Sequence, residues 1–395
     1  MNSNTERIEE ANEHIQHFKF TEAEKDFRDA LAEDPTAIPA KVGLARILLL
    51  KKAPSDAIEI LNQVLETHPA NAEAIALKAI VFMMQRDWAN AVSLLEIARQ
   101  YNPDLPMVHI NLAHCYRSQE ELQKAESAAW TAVELAPENY QSHVELGRTL
   151  LKSKKNREAL AQFREALRLN PFAVNGYLAL ARIYDAAGKP ATAIKILKQG
   201  IKRNPMAITL RESIAASFIL NRQPQKAFRE TVIVALLRDT KEDWLKVGVA
   251  AVAAGKPDKA MKAFQKVLDQ DPFSWEANYN LAEIYFAGKR YARARDFYEL
   301  SIMNGESDYR PCNGLGLLLL TAGRNPKQAR DCFALALQRD ATRKEPMLNL
   351  ALACAALNDH AAAEKYARAA SVLSRPGDGT YEQAERLIAG LPRLQ

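Results

Sequence analysis

Apolar residues recur along the chain at helical spacing. In "YLALARIYDAA", Tyr177, Leu180, Ala181 and Tyr184 stand at i, i+3, i+4 and i+7, one face of a helix. The next segment, "GKPATAIKILKQGIKRNP", opens on a glycine turn and has Pro190 at its helix start. It sets Ala193, Ile194, Leu197 and Ile201 on one face. Asn204 closes it, because a residue ahead of proline avoids the α region. Together the two segments predict a helical hairpin.

The hairpin recurs with a fixed beat. Prolines 34 residues apart stand at Pro35, Pro69, Pro103, Pro137, Pro171 and Pro205; Asp239 takes the next place and Pro272 resumes the series. Alanine keeps the same interval from Ala23, Ala57 and Ala91 to Ala329 and Ala363. Ala or Gly lies twelve or thirteen residues before each, as at Ala11, Gly147, Gly248 and Gly316. Small residues at both places let antiparallel helices approach. One residue is lost before Ala260 and one gained before Ala329. These slips, near 239–241 and 325–328, mark where the array would flex.

This pattern resembles the tetratricopeptide repeat. Repeat 241–274 shows the family's marks at Trp244, Val247, Gly248, Ala260, Phe264, Val267 and Pro272. Repeat 140–173 shows them at Leu146, Gly147, Ala159, Phe163, Ala166 and Pro171. Eleven units start at 4, 38, 72, 106, 140, 174, 208, 241, 275, 309 and 344 and cover 4–377. The resemblance implies an all-α fold, a right-handed superhelical α-solenoid of tandem helical hairpins. A helix is expected over 378–391, with Thr380 as N-cap and Ala384, Leu387, Ile388 and Leu391 as its apolar stripe. It would cap the apolar face that a solenoid's last repeat leaves open. Outside the repeats lie 21 residues, too few for a separate catalytic domain.

Composition agrees: of 395 residues, 48% are hydrophobic and 26% charged, a globular balance. Four scattered cysteines with no CxxC pair argue against a disulfide framework or a structural zinc, and fit a reducing compartment. The polar, acidic start has no signal-peptide core, and no apolar run is long enough to span a bilayer. A cytoplasmic protein is expected. The net charge of +5 hides an asymmetry: residues 140–211 hold 14 Lys+Arg against 4 Asp+Glu, and residues 1–37 hold 4 against 10.

One stretch, "HINLAHCYR" at 109–117, gathers histidines and a cysteine. In register, Cys115 takes repeat position 10, filled elsewhere by Ile47, Val81 and Ile183, so it reads as a small core residue. His114 is its chain neighbour, and adjacent helical side chains diverge, which disfavours a nucleophile–base pair. His109 and His143 share position 4 in neighbouring units and could stack; without a third ligand they make no metal site. "AGKPATA" and "AGKPDKA" lack the earlier glycine of a phosphate loop, and "HVELG" is not HExxH. No enzyme, metal or cofactor is expected.

The resemblance implies that the first helix of each unit lines a concave groove. Repeat position 9, a groove position, reads Asn12, Arg46, Ile80, His114, Arg148, Arg182, Ala216, Val249 and Glu283: a basic ladder that turns apolar. Asn111, Asn280 and Asn349 sit in "NLA" motifs, with Tyr279 before Asn280. The expected partner-binding residues are Arg46, Met83, Asn111, His114, Arg148, Arg182, Ile219, Val249, Tyr279, Asn280 and Glu283. Lys152, Lys154, Lys155 and Arg157 read as solvated turn charges. The chaperone-tail clamp of the family is absent, because Asn12 is preceded by Ile8 where it needs lysine. The expected function is a scaffold that binds a protein segment, acidic with apolar anchors, and a carboxylate of that segment would meet His114. The alternative is an anionic polymer, RNA or acidic polysaccharide, along 140–211. Tyr177, Tyr184 and Phe163 there hold structural repeat positions, so few rings are free for base stacking, which disfavours nucleic acid.

Overall fold

The computed structural model describes residues 3–16, 19–305 and 307–391. Among them are twenty-three α-helices and no strand, an all-α solenoid. The chain divides into two compact units, 1–210 and 211–395. The first holds α1 (Ser3–Gln16), α2 (Phe20–Glu33), α3 (Ile38–Leu50), α4 (Pro54–Thr67), α5 (Ala72–Met84) and α6 (Trp88–Tyr101). It continues with α7 (Pro106–Ser118), α8 (Leu122–Leu135), α9 (Tyr140–Lys152), α10 (Asn156–Leu169), α11 (Val174–Ala186) and α12 (Pro190–Arg203). The division falls within α13 (Ile208–Leu220). The second unit holds α14 (Pro224–Arg238), α15 (Lys241–Ala253), α16 (Pro257–Gln270), α17 (Trp275–Ala287) and α18 (Tyr291–Asn304). It ends with α19 (Arg310–Thr321), α20 (Pro326–Arg339), α21 (Lys344–Ala356), α22 (His360–Val372) and α23 (Gly379–Gly390).

Helix α16 shows why these segments fold as they do. Pro257 opens it, where the missing N–H costs nothing, and Asp258 in the first turn suits the positive helix end. Ala260, Ala263, Phe264 and Val267 are its buried stripe. It stops at Gln270, ahead of Asp271–Pro272.

The first helix of nearly every hairpin ends the same way. In α9, Lys155 N–H donates to Leu150 O at 2.9 Å and Lys154 N–H to Leu151 O at 3.1 Å, closing a Schellman turn. The turn needs one left-handed residue. Gly188 (φ +70°) and Gly255 (φ +68°) supply it, but so do Lys52, Arg86, Glu120, Lys154, Arg222 and Lys289, all with φ between 55° and 67°. The glycine turn read from the sequence is therefore the exception.

The small residues do more than let backbones meet. A Cβ on Gly248 would lie 2.3 Å from the Phe264 ring, one on Gly147 2.8 Å from Phe163, and one on Gly316 2.5 Å from Phe333. Each glycine makes the slot for an aromatic ring of the partner helix. Where the hairpin's own residue is alanine, the ring enters the next hairpin instead: Gly43 receives Phe27 and Gly314 receives Tyr298.

His109 and His143 do not stack. His109 Nε2 meets the carbonyl of Pro103 at 2.7 Å and His143 Nε2 that of Pro137 at 2.8 Å. Tyr177 donates its hydroxyl to Pro171 O at 3.0 Å in the same way. All three fasten the preceding loop, whose carbonyls the proline-ended helices leave unpaired.

At the first register slip, Asp239 adopts φ +52° and its carboxylate accepts from Trp244 Nε1 at 2.6 Å. Arg238 donates to both oxygens of the buried Asp243 at 2.6 and 2.7 Å. The irregular junction is cross-braced. Thr380 is not the N-cap of α23. Asp378 is, accepting from Thr380 N–H at 3.0 Å, because the longer-reaching carboxylate sits one residue ahead of the helix. The stripe starts as expected, with Ala384 buried against Leu348 and Ala370.

Candidate functional site

In the first unit, the basic ladder divides into answered and open charges. Arg46 on α3 pairs with Glu73. Arg148 on α9 stands 3.6 Å from Glu145, and Arg117 on α7 donates to the same carboxylate at 2.9 Å. Glu145 is only 3% exposed and drew no notice in the sequence. The signal available was its spacing, i to i+3 from Arg148 on one helix face.

His114 stacks on Trp88, ring centroids 5.8 Å apart at 28°. Burial holds its pKa below the ordinary histidine value; Glu145 opposes this, and Arg117 and Arg148 reinforce it. A carboxylate of the chain itself thus already acts on this ring. Cys115 beside it is fully buried, its thiol pushed up to about 12 by burial. No group of three metal-ligating side chains occurs among the described residues. Met83 packs in the α5–α7 core, and Asn111 is half-buried on α7.

Arg182 on α11 is exposed, with no ion pair among the described residues. It lines a cleft of about 760 Å³ with Leu151, Arg157, Leu160, Tyr184 and Lys189, and one carboxylate, Asp185, lines it too. Arg157, read as turn charge from the sequence, thus belongs beside Arg182. The helix ends of α9 to α11 bring them together. Arg164 donates to the Tyr184 hydroxyl at 3.0 Å, which engages that ring's polar end.

The second unit carries apolar clefts on both sides of α15. One, about 620 Å³, is walled by α13, α14 and α15 and holds Ile219, Val234, Leu245 and Val249. Ile219 is 60% exposed and Val249 51%. Two large aliphatic side chains in one recess are thus left in water. Glu212, Asp243 and Lys246 stand at its edge and pair with one another and with Arg238.

The other cleft, about 600 Å³, lies between α15, α16 and α17, with Val252, Met261, Asn280, Glu283 and Tyr285. Asn280 donates to Glu276 O at 2.7 Å, and Glu283 accepts from the Tyr298 hydroxyl at 2.6 Å. Both side chains are oriented from within. Tyr279 does not line it: the ring packs 6.3 Å from Tyr298 with Arg310 5.5 Å above it. Burial, then Glu283, pushes its phenol up to about 12.

The structure thus brings Ile219 and Val249 together in one cleft and Asn280 and Glu283 in a second. It sets Arg182 in one cleft with Arg157, a turn charge by its sequence position, and with Lys189 and Asp185. Among the described residues no helix is long and apolar enough to cross a membrane.

Comparisons with known proteins agree with the fold. A family described as "Tetratricopeptide repeat" matches residues 77–140, 144–227 and 245–310, and a second family of that description matches 14–81. An uncharacterized protein, y4yS, of Sinorhizobium fredii is 32% identical over 89 residues, 22% of this chain and 49% of that protein. A DnaJ homolog subfamily C member 3 homolog of Dictyostelium discoideum is 25% identical over 112 residues, 27% of this chain and 22% of that one. The chain therefore matches half or less of these relatives' lengths. Among solved structures, the C-terminal part of a repeat-containing protein from Cytophaga hutchinsonii superposes with TM-score 0.51 at 16% identity, over 60% of this chain and 98% of that one.

Proposed function

The chain belongs to the tetratricopeptide-repeat family, whose fold serves as a protein–protein interaction scaffold, and from there we propose that it is a non-enzymatic adaptor seating segments of a partner protein in the clefts described above. In this reading α1 to α22 are eleven repeat units over 4–377, and α23 caps them. The observation that carries it is the cleft beside α15, with Ile219 and Val249 both more than half exposed. Full burial of such a side chain is worth about 1.5–3 kcal/mol, so covering the exposed half of each contributes about 1 kcal/mol. That is an anchor for an aliphatic or aromatic side chain of a partner. In the first unit, Arg157, Arg182 and Lys189 around one cleft suit carboxylates. Asn280 and Glu283 would orient a segment in the second α15 cleft. Arg46, Asn111, His114 and Arg148 stay in the proposed surface as its polar lining, with Arg46 and Arg148 already paired to Glu73 and Glu145. All four cysteines are free, which fits a reducing compartment such as the cytoplasm.

Affinity capture tests this with two double variants, Ile219→Asp with Val249→Asp and Arg157→Glu with Arg182→Glu. Arg148 is spared, because a glutamate there would face the buried Glu145. Each double variant is expected to lose about tenfold or more of the partner captured by the wild type, roughly 1.4 kcal/mol, with the thermal melt little changed. Unchanged capture by both would overturn the proposal. Capture that falls steeply with salt and vanishes on nuclease treatment would favour the anionic polymer instead. Against that polymer, Phe163 is buried and the Tyr177 and Tyr184 hydroxyls are engaged.

A further inference from the structure

The opposite end of α10 to α12 carries a feature that the adaptor reading does not use. A recess of about 640 Å³ opens there, lined by Leu167, Arg168, Pro171, Tyr177, Lys202 and Arg203. Arg157 and Arg168 are eleven residues apart on α10, so this recess lies ~16 Å along the helix axis from the Arg182 cleft. No carboxylate lines it. Arg168 is bound to Glu165 at 2.7 Å, but Lys202 and Arg203 are exposed and have no ion pair among the described residues. Both sit in the last turn of α12, whose end is equivalent to roughly half a negative charge. Two full cations exceed that, so the recess is positive.

Two exposed apolar side chains follow lining residues in the chain: Phe172 directly after Pro171, and Met206 three residues after Arg203. Phe172 is 52% exposed and Met206 71%, at the same place in consecutive loops, 34 residues apart. In earlier loops that place holds Thr36, Ala70, Asp104 and Glu138, none of them a large apolar residue. The Phe172 loop is held firmly. Phe172 N–H donates to Asn170 Oδ1 at 2.9 Å, Asn204 Nδ2 donates to Phe172 O at 3.3 Å, and Tyr177 fastens Pro171. The Arg203 guanidinium lies 5.9 Å from the Phe172 ring centre. A loop backbone held in this way costs little further entropy on binding.

We propose that this loop edge is a second partner-binding surface, taking an acidic protein segment in which an aromatic or aliphatic side chain adjoins a carboxylate. The carboxylate meets Lys202 and Arg203, and the apolar side chain covers Phe172 and Met206. RNA asks for several ring faces in succession, and this edge offers one. A bilayer asks for a projecting patch, and here the cations line a recess.

The test uses the full chain with ¹³C-methyl methionine, the Met206 signal assigned through Met206→Leu. It is titrated with a synthetic peptide alternating Glu with Phe and Leu, with the same peptide carrying Gln for Glu, with poly(U), and with phosphatidylserine vesicles. The proposal expects a saturable Met206 shift with the acidic peptide, at least tenfold weaker in Lys202→Glu with Arg203→Glu and weakened in the milder Lys202→Gln with Arg203→Gln. It expects the shift to survive in Arg157→Glu with Arg182→Glu, so failure of the cleft reading leaves this one standing. No Met206 shift with the acidic peptide, an equal shift with the Gln peptide, or a shift with poly(U) or vesicles alone would overturn it.

Discussion

Lys154 and Gly255 occupy the same place after a first helix, and both have positive φ. Nothing lies within 4 Å of a Cβ added at Gly255, so Gly255→Ala isolates the backbone term. It is expected to lower stability by about 1 kcal/mol, the cost of a left-handed L-residue, in a urea melt. Lys154→Gly is expected to raise stability by somewhat less, because glycine also loses more freedom on folding. Asp243 makes the opposite case, a single charge that holds a junction. Its carboxyl is kept below the ordinary range, first by the Arg238 hydrogen bonds and also by Thr240, against the pull of burial. A depressed folded pKa means that the stabilisation is complete above the unfolded value of about 3.9 and is lost as pH falls through the lower folded value. Asp243→Asn should therefore cost about 2 kcal/mol at pH 7 and much less near pH 2, read by chemical denaturation at both. Neither Lys154 nor Asp243 was legible in its role: the Asp–Thr–Lys–Glu–Asp stretch looks like a slipped loop until its bonds to Arg238 are seen.

Hairpin packing is governed by a volume exchange between facing helices. Gly248 and Phe264 hold the register places, sixteen residues apart, that Ala45 and Leu61 or Ala79 and Leu95 hold elsewhere in the chain, all of them buried. Gly248→Ala is expected to cost about 2 kcal/mol, because the ring has nowhere to retreat. Phe264→Leu alone leaves a void, yet the double variant recreates a pairing the chain already uses and should recover most of the loss. A thermodynamic cycle with no coupling between the two sites would contradict this. The helices themselves were legible, since the 34-residue beat, the prolines and the apolar stripes all point to the same boundaries. The start of α23 was not, because Asp378 and Thr380 are both good caps and only the hydrogen bond to Thr380 N–H separates them.

In the molecule as a whole, the period was legible because it depends on local spacing, whereas the clefts were not. Each is built by residues from three helices, and a position-by-position reading ranks residues on one helix at a time. That reading set Arg157 aside as turn charge and placed Tyr279 in the groove, while the fold brings the first to Arg182 and packs the second against Tyr298. Ile219, Val249, Asn280 and Glu283 line clefts because a first helix presents the same face in every unit. The central claim is that the cleft beside α15 seats a partner protein. It is tested most directly by photo-crosslinking in source cells from benzoylphenylalanine at position 249, with position 265 on the exposed face of α16 as control. The account predicts one discrete protein adduct from position 249, absent from 265 and lost when Ile219→Asp is added. Equal adducts from both positions, or an adduct that Ile219→Asp leaves intact, would contradict it.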